Sequence, residues 1–147
     1  MPNVFDVAAY ILRRNGTITA MKLQKLVYYS QAWSLVWDDK PLFPEEIQAW
    51  ANGPVVPVLY DWHRGSYNVT SCPKGDHESL ATEQVATVES VLAFYGDKTS
   101  QWLSDLTHSE DPWRDARKGL APSERGNHEI THASMAEYYS RIASEQR

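Results

Sequence analysis

The chain has 147 residues and a formal net charge of −5, a size that fits one ordinary domain. Leu, Ile, Val and Phe supply only about a fifth of it, but 6 Trp and 8 Tyr restore the capacity for a core, since each buried aromatic removes about 150–250 Å² from water. This composition excludes a collagen, a coiled-coil rod and a disordered tail. No run of about 18 apolar residues is present, so no membrane-spanning helix is expected. The start, Met1-Pro2-Asn3-Val4-Phe5-Asp6, lacks the basic and apolar pattern of a secretory signal. A lone Cys72 closes no internal disulfide. Together these features predict a cytoplasmic protein.

Charge is unevenly spread. Residues 1–37 carry Arg13, Arg14, Lys22 and Lys25 against Asp6, whereas residues 38–111 carry 4 positive and 13 negative groups. An acidic middle repels phosphate backbones and disfavours general nucleic-acid binding. A regulator using the basic N-terminal residues stays open as an alternative.

In chain order, Val4, Val7, Ala8, Ile11 and Leu12 recur at helical spacing, and Asn15-Gly16 stops that helix. Thr19 is placed to cap the next one. From Lys22 to Trp37 apolar residues fall on nearly every side, the pattern of a helix packed around by neighbours. Asp38-Asp39-Lys40-Pro41 ends it. Glu45 to Ala51 reads as a short helix broken by Asn52-Gly53-Pro54. Pro57, in a first-turn position, opens another that carries Leu59, Tyr60 and Trp62. Residues 67–72 suit a short strand. Thr82 to Tyr95 forms an amphipathic helix with Val85, Val88, Val91, Leu92 and Tyr95 on one face. Thr99 caps a helix containing Trp102, Leu103 and Leu106. Asp111-Pro112 starts a short one with Trp113, Ala116 and Arg117, and Thr131 caps the last, with Met135, Tyr138, Tyr139 and Ile142. The expected fold is mainly α: one compact domain over residues 1–147 around a buried central helix, with at most a small two-stranded β piece.

His128-Glu129-Ile130-Thr131-His132 matches the H-E-x-x-H pattern of zinc hydrolases. That chemistry requires both imidazoles on one helix face, with the Glu polarising a metal-bound water. Gly126-Asn127 just before the pattern and the cap at Thr131 place it across a helix start instead. A third ligand is also needed, and the extended pattern would want Gly and His where Met135 and Tyr138 stand. A zinc hydrolase is retained only as an alternative, and no cofactor or metal is expected. His63 and His108 lie near acidic groups, but no nucleophile is placed beside them.

Three blocks carry a resemblance. The first is Lys22-Leu23-Gln24-Lys25-Leu26-Val27-Tyr28-Tyr29-Ser30-Gln31-Ala32-Trp33. The second runs from Ile47-Gln48-Ala49-Trp50 through Gly53-Pro54-Val55 to Tyr60. The third joins Leu106-Thr107-His108 to Asp111-Pro112-Trp113 and Ala116-Arg117. Their order and spacing resemble the Panacea antitoxin domain family, which includes phage-associated GepA-like and SocA-like proteins. The resemblance implies a helical antitoxin, often prophage-borne, that neutralises a cognate protein toxin by direct contact, several such toxins being translation blockers. It implies no catalysis. Leu23, Gln24, Tyr28, Gly53, Pro54, Tyr60, Pro112 and Trp113 are expected to be structural. Lys22, Lys25, Tyr29, Trp50 and Arg117 are the candidate partner contacts, because Trp, Tyr and Arg anchor interfaces.

Overall fold

The computed structural model describes residues 1–145. Helix α1 (Val4–Asn15) begins at an Asn3 capping box, in which Asn3 accepts from the Asp6 amide and Asp6 accepts from the Asn3 amide. It ends at Gly16, where φ is +75°. A two-residue strand β1 (Ile18–Thr19) leads into α2 (Ala20–Trp37), whose cap is the Thr19 hydroxyl accepting from the Lys22 amide at 3.1 Å. Every residue of α2 from Leu23 to Ser34 is buried. Its polar members are therefore committed to internal bonds. Gln31 donates to the Phe43 carbonyl at 2.8 Å and accepts from the Leu42 amide at 2.6 Å, which tucks Leu42 and Phe43 into the core.

The next segment departs from the expected short helix over Glu45–Ala51. It is strand β2 (Ile47–Trp50), paired antiparallel with β3 (Gly53–Val55) across a two-residue turn at Ala51-Asn52. The physical reason is its period: Ile47 and Ala49 are buried while Gln48 and Trp50 are half-exposed, an alternation of two that a strand satisfies and a helix does not. Strand β5 (Glu129–Ile130) adds to the other edge of β2, giving the order β3-β2-β5. A second sheet pairs β1 with β4 (Asn68–Val69), within the segment expected to be a strand.

The remaining helices follow the sequence closely. They are α3 (Pro57–His63), α4 (Thr82–Tyr95), α5 (Ser100–Ser109), α6 (Asp111–Ala116) and α7 (His132–Glu145). Thr99 caps α5 and Thr131 caps α7. The cap of α6 is Glu110 rather than Asp111, and Pro112 sits in its first turn. The class is mainly α, with two small sheets. Helices α1, α4, α5 and α7 all pack on α2, as expected for a helix apolar on every side. Among the described residues no helix is long and apolar enough to cross a membrane.

Candidate functional site

The three sequence blocks meet at one junction around the N-terminal half of α2. The Gln24 amide, fully buried, accepts from the Val56 amide at 2.9 Å and donates to the Val56 carbonyl at 3.4 Å. Its amide nitrogen also lies 3.0 Å from His63 Nε2. With Gln24 donating, that ring nitrogen is the acceptor and the proton sits on Nδ1. Burial lowers the His63 pKa, which favours this neutral form. The next residue, Lys25, lies over Gly53. A Cβ on that glycine would come 2.6 Å from Lys25 Cε and 2.9 Å from Nζ, so a side chain there would force the end of the lysine to move. Gly53 also has φ +124°, outside the range of side-chain-bearing residues.

The third block closes on the hairpin. Trp113 donates from Nε1 to the Trp50 carbonyl at 2.8 Å, and its ring stacks on His108 at 4.2 Å. Arg117 Nη1 donates to the Ala49 carbonyl at 3.0 Å, while Nη2 reaches the carbonyls of Ala121 and Glu124. The guanidinium lies over the Trp113 ring. Arg117 thus ties β2, α6 and the loop after α6 with one rigid fork. Its role in holding the loop was not visible in the sequence, because the acceptors are backbone carbonyls and carry no side-chain signature.

Of the candidate partner contacts, Lys25, Tyr29 and Arg117 are 1%, 0% and 5% exposed. They face inward, so direct contact with another protein would require the fold to open. Tyr29 stacks on Tyr95 with ring centroids 4.1 Å apart and donates to Glu110 at 2.7 Å. Lys22 and Trp50 are half-buried and reach the surface. Among the residues expected to be structural, Leu23, Gln24, Tyr28, Gly53, Pro54, Pro112 and Trp113 are buried, and Tyr60 is half-buried against Trp50. Tyr28 shares a hydroxyl–hydroxyl bond of 3.0 Å with Tyr139.

A family model described as "Antitoxin SocA-like, Panacea domain" matches residues 23–114. The chain belongs to this Panacea antitoxin family. No curated protein and no solved structure matches it. The matched stretch of the Panacea domain contains most of α2, the β2–β3 hairpin and the start of α6, hence nearly all of the junction just described.

The zinc pattern falls outside the matched stretch. His128 precedes β5, Glu129 is in it, and His132 is the first residue of α7. The two imidazoles therefore do not share a helix face, and His128 Nδ1 is engaged with the Ala116 carbonyl at 3.1 Å. No group of three His, Cys, Asp or Glu among the described residues is placed to hold a metal. The basic N-terminal residues also disperse. Arg14 pairs with Glu89 at 2.6 Å, Lys25 is internal, and only Arg13 and Lys22 have solvent access without an ion pair among the described residues.

Of the concavities that the described residues form, two are lined in part by aromatic side chains. One, of about 740 Å³, opens over the hairpin and is lined by Met21, Gln48, Trp50, Asn52, Tyr60 and Arg125, among others. The other, of about 650 Å³, is an aromatic groove between α2, α4, α5 and α7. Its floor includes Glu110. Burial pushes the Glu110 carboxyl up to about 7, while bonds from Tyr29 and Tyr139 pull the other way. Neither feature was legible in the sequence, because the lining residues come from separate elements.

Proposed function

We propose that this chain is a cytoplasmic, non-enzymatic antitoxin that neutralises one cognate toxin, a translation blocker, by direct protein–protein binding. Membership of the Panacea antitoxin family carries this reading. The distribution of burial supports it: the family blocks build the interior, which leaves the outer faces free to vary with the partner. Helices α1 and α7, outside the matched stretch, pack on α2, and we take the whole of residues 1–147 as a single domain. Trp50 and Lys22 are the candidate contacts retained, with Trp50 on the wall of the hairpin concavity. Lys25 and Arg117 act on that surface by holding the hairpin in shape, and Tyr29 does the same for the aromatic core beneath α4 and α7.

Co-expression with the product of the adjacent gene tests the proposal. Restored growth together with a complex that co-purifies supports it. Restored growth without a complex refutes direct binding, and absence of both refutes the antitoxin role with that neighbour.

A further inference from the structure

The aromatic groove brings together exposed rings and a carboxyl group that no cation of the described residues pairs with. Its walls include Trp33, Trp37, Phe94, Tyr95, Trp102 and Tyr138. Trp37, Phe94 and Trp102 are 49%, 57% and 41% exposed, and they make up half of the six large apolar side chains that stand out on the surface of the described residues. Scattered exposed apolar residues need no explanation, but a contiguous patch of aromatics marks an interaction site.

The floor is acidic. Glu110 is 5% exposed. The hydroxyls of Tyr29 and Tyr139 both donate to Oε1, at 2.7 and 2.8 Å, whereas Oε2 receives no hydrogen bond from the described residues. No cation among the described residues pairs with this carboxylate. Two cations of the chain lie on the groove's aromatic walls, and neither pairs with Glu110. Lys98 lies over the rings of Phe94 and Trp102, at 5.8 and 5.2 Å from their centroids. Arg141 pairs with Asp111 at 3.2 Å and lies over Tyr138.

Aromatic faces carry negative quadrupole charge and attract cations, more strongly where water is excluded. The Glu110 carboxyl group beneath them adds a negative charge when ionised, a form that a bound cation favours. A wholly apolar occupant would hold Glu110 in its neutral form and leave Oε2 without a hydrogen-bond partner. A basic side chain would satisfy it, with an Arg guanidinium also able to stack on the rings.

We propose that this groove receives a basic side chain, Arg or Lys, projecting from an otherwise apolar segment of a protein partner. The cation meets Glu110 Oε2, and the flanking apolar residues cover Trp37, Phe94 and Trp102. That the partner is the toxin rests on the antitoxin reading; the chemistry of the groove does not.

The full chain titrated with Nα-acetyl-arginine amide at pH 8 and low salt tests the groove, with the neutral citrulline amide as control and the tryptophan indole N–H resonances as readout. The expected result is perturbation of the Trp37 and Trp102 indoles at a concentration at least tenfold lower for the arginine compound. Glu110→Gln, which keeps an acceptor for both tyrosines, should abolish that difference. Phe94→Ala, at an exposed rim position, should weaken arginine binding severalfold with the fold intact. Equal effects of the two probes on the wild-type chain, or an undiminished difference in Glu110→Gln, overturn the proposal.

The co-purification experiment separates the two readings. If the complex forms equally well with Glu110→Gln, the groove is not the toxin's docking site, while the antitoxin reading stands. If no complex forms but the arginine preference persists, the groove chemistry stands without the antitoxin reading. A concentration-dependent dimer of the chain that Glu110→Gln dissolves overturns the assignment to a different protein and makes a second copy the occupant.

Discussion

The Lys25 ammonium group rests on the backbone of Gly53, so close that a methyl group on that glycine would overlap both Cε and Nζ of the lysine. This contact joins the central helix to the hairpin. The helix supplies a long side chain, and the hairpin supplies a glycine that leaves room for it.

Gly53→Ala should therefore destabilise the chain. The substitution combines a left-handed backbone, φ +124°, with a steric overlap in a buried site. We expect a loss of roughly 2 kcal/mol or more, since strained backbone alone costs on the order of 1–3 kcal/mol. Chemical denaturation compared with wild type measures it. An unchanged midpoint would show that the hairpin shifts freely relative to α2.

Lys25 itself is held at an energetic cost. Burial lowers its pKa from 10.5 to about 8, and no hydrogen bond from Nζ compensates among the described residues. A depressed folded-state pKa means stability is greatest above the unfolded value of 10.5, falls as pH drops towards 8, and is flat below that. Lys25→Met, which keeps the length without the charge, should raise stability at pH 7 by up to about 3 kcal/mol. The gain should shrink as pH rises from 8 to 10.5. Melting curves of both proteins across that range would show it, and a destabilised methionine variant at pH 7 would mean that the ammonium has a compensating partner.

Glu110 behaves in the opposite sense. Its carboxyl is raised from 4.5 to about 7, so its contribution to stability is fully present below 4.5 and is lost as pH rises through 7. Glu110→Gln should match wild type near pH 4 and exceed it by up to about 3 kcal/mol at pH 8. Stability differences measured at those two pH values check the sign. A variant less stable than wild type at pH 8 would place a compensating cation at Glu110.

Gln24→Leu should be strongly destabilising although it keeps an apolar stem. It strands the Val56 amide and carbonyl, both held by this side chain, and leaves His63 without its donor. Each buried group left unsatisfied costs on the order of 1–3 kcal/mol. Loss of soluble protein, or a large drop in melting temperature, is the expected outcome, and a melting temperature within a few degrees of wild type would contradict it.

Much of the fold was legible because its signals are local. Thr19 capping α2, the break at Gly96 after α4, and Pro57 opening α3 each act within one turn of chain. The α2 pattern announced its burial from composition alone. Strand β2 was harder. Four residues, Ile47 to Trp50, give too short an alternation to separate from a helical turn, and the strand is fixed by β5, some 80 residues away. Charge misled in the same way at Lys25 and Arg117. A cation in a sequence reads as surface, yet one sits over a glycine and the other among carbonyls, and both relationships are long-range. The groove around Glu110 was invisible for a related reason: Trp37, Phe94 and Trp102 lie on three different helices, and only packing makes them neighbours.

The most direct test of the account is calorimetric titration of the purified chain with the purified product of the adjacent gene. Direct neutralisation predicts saturable binding at a fixed stoichiometry, weakened at least tenfold by Glu110→Gln if the groove is the docking site. No measurable binding between two folded proteins, in conditions where co-expression restores growth, would contradict neutralisation by contact.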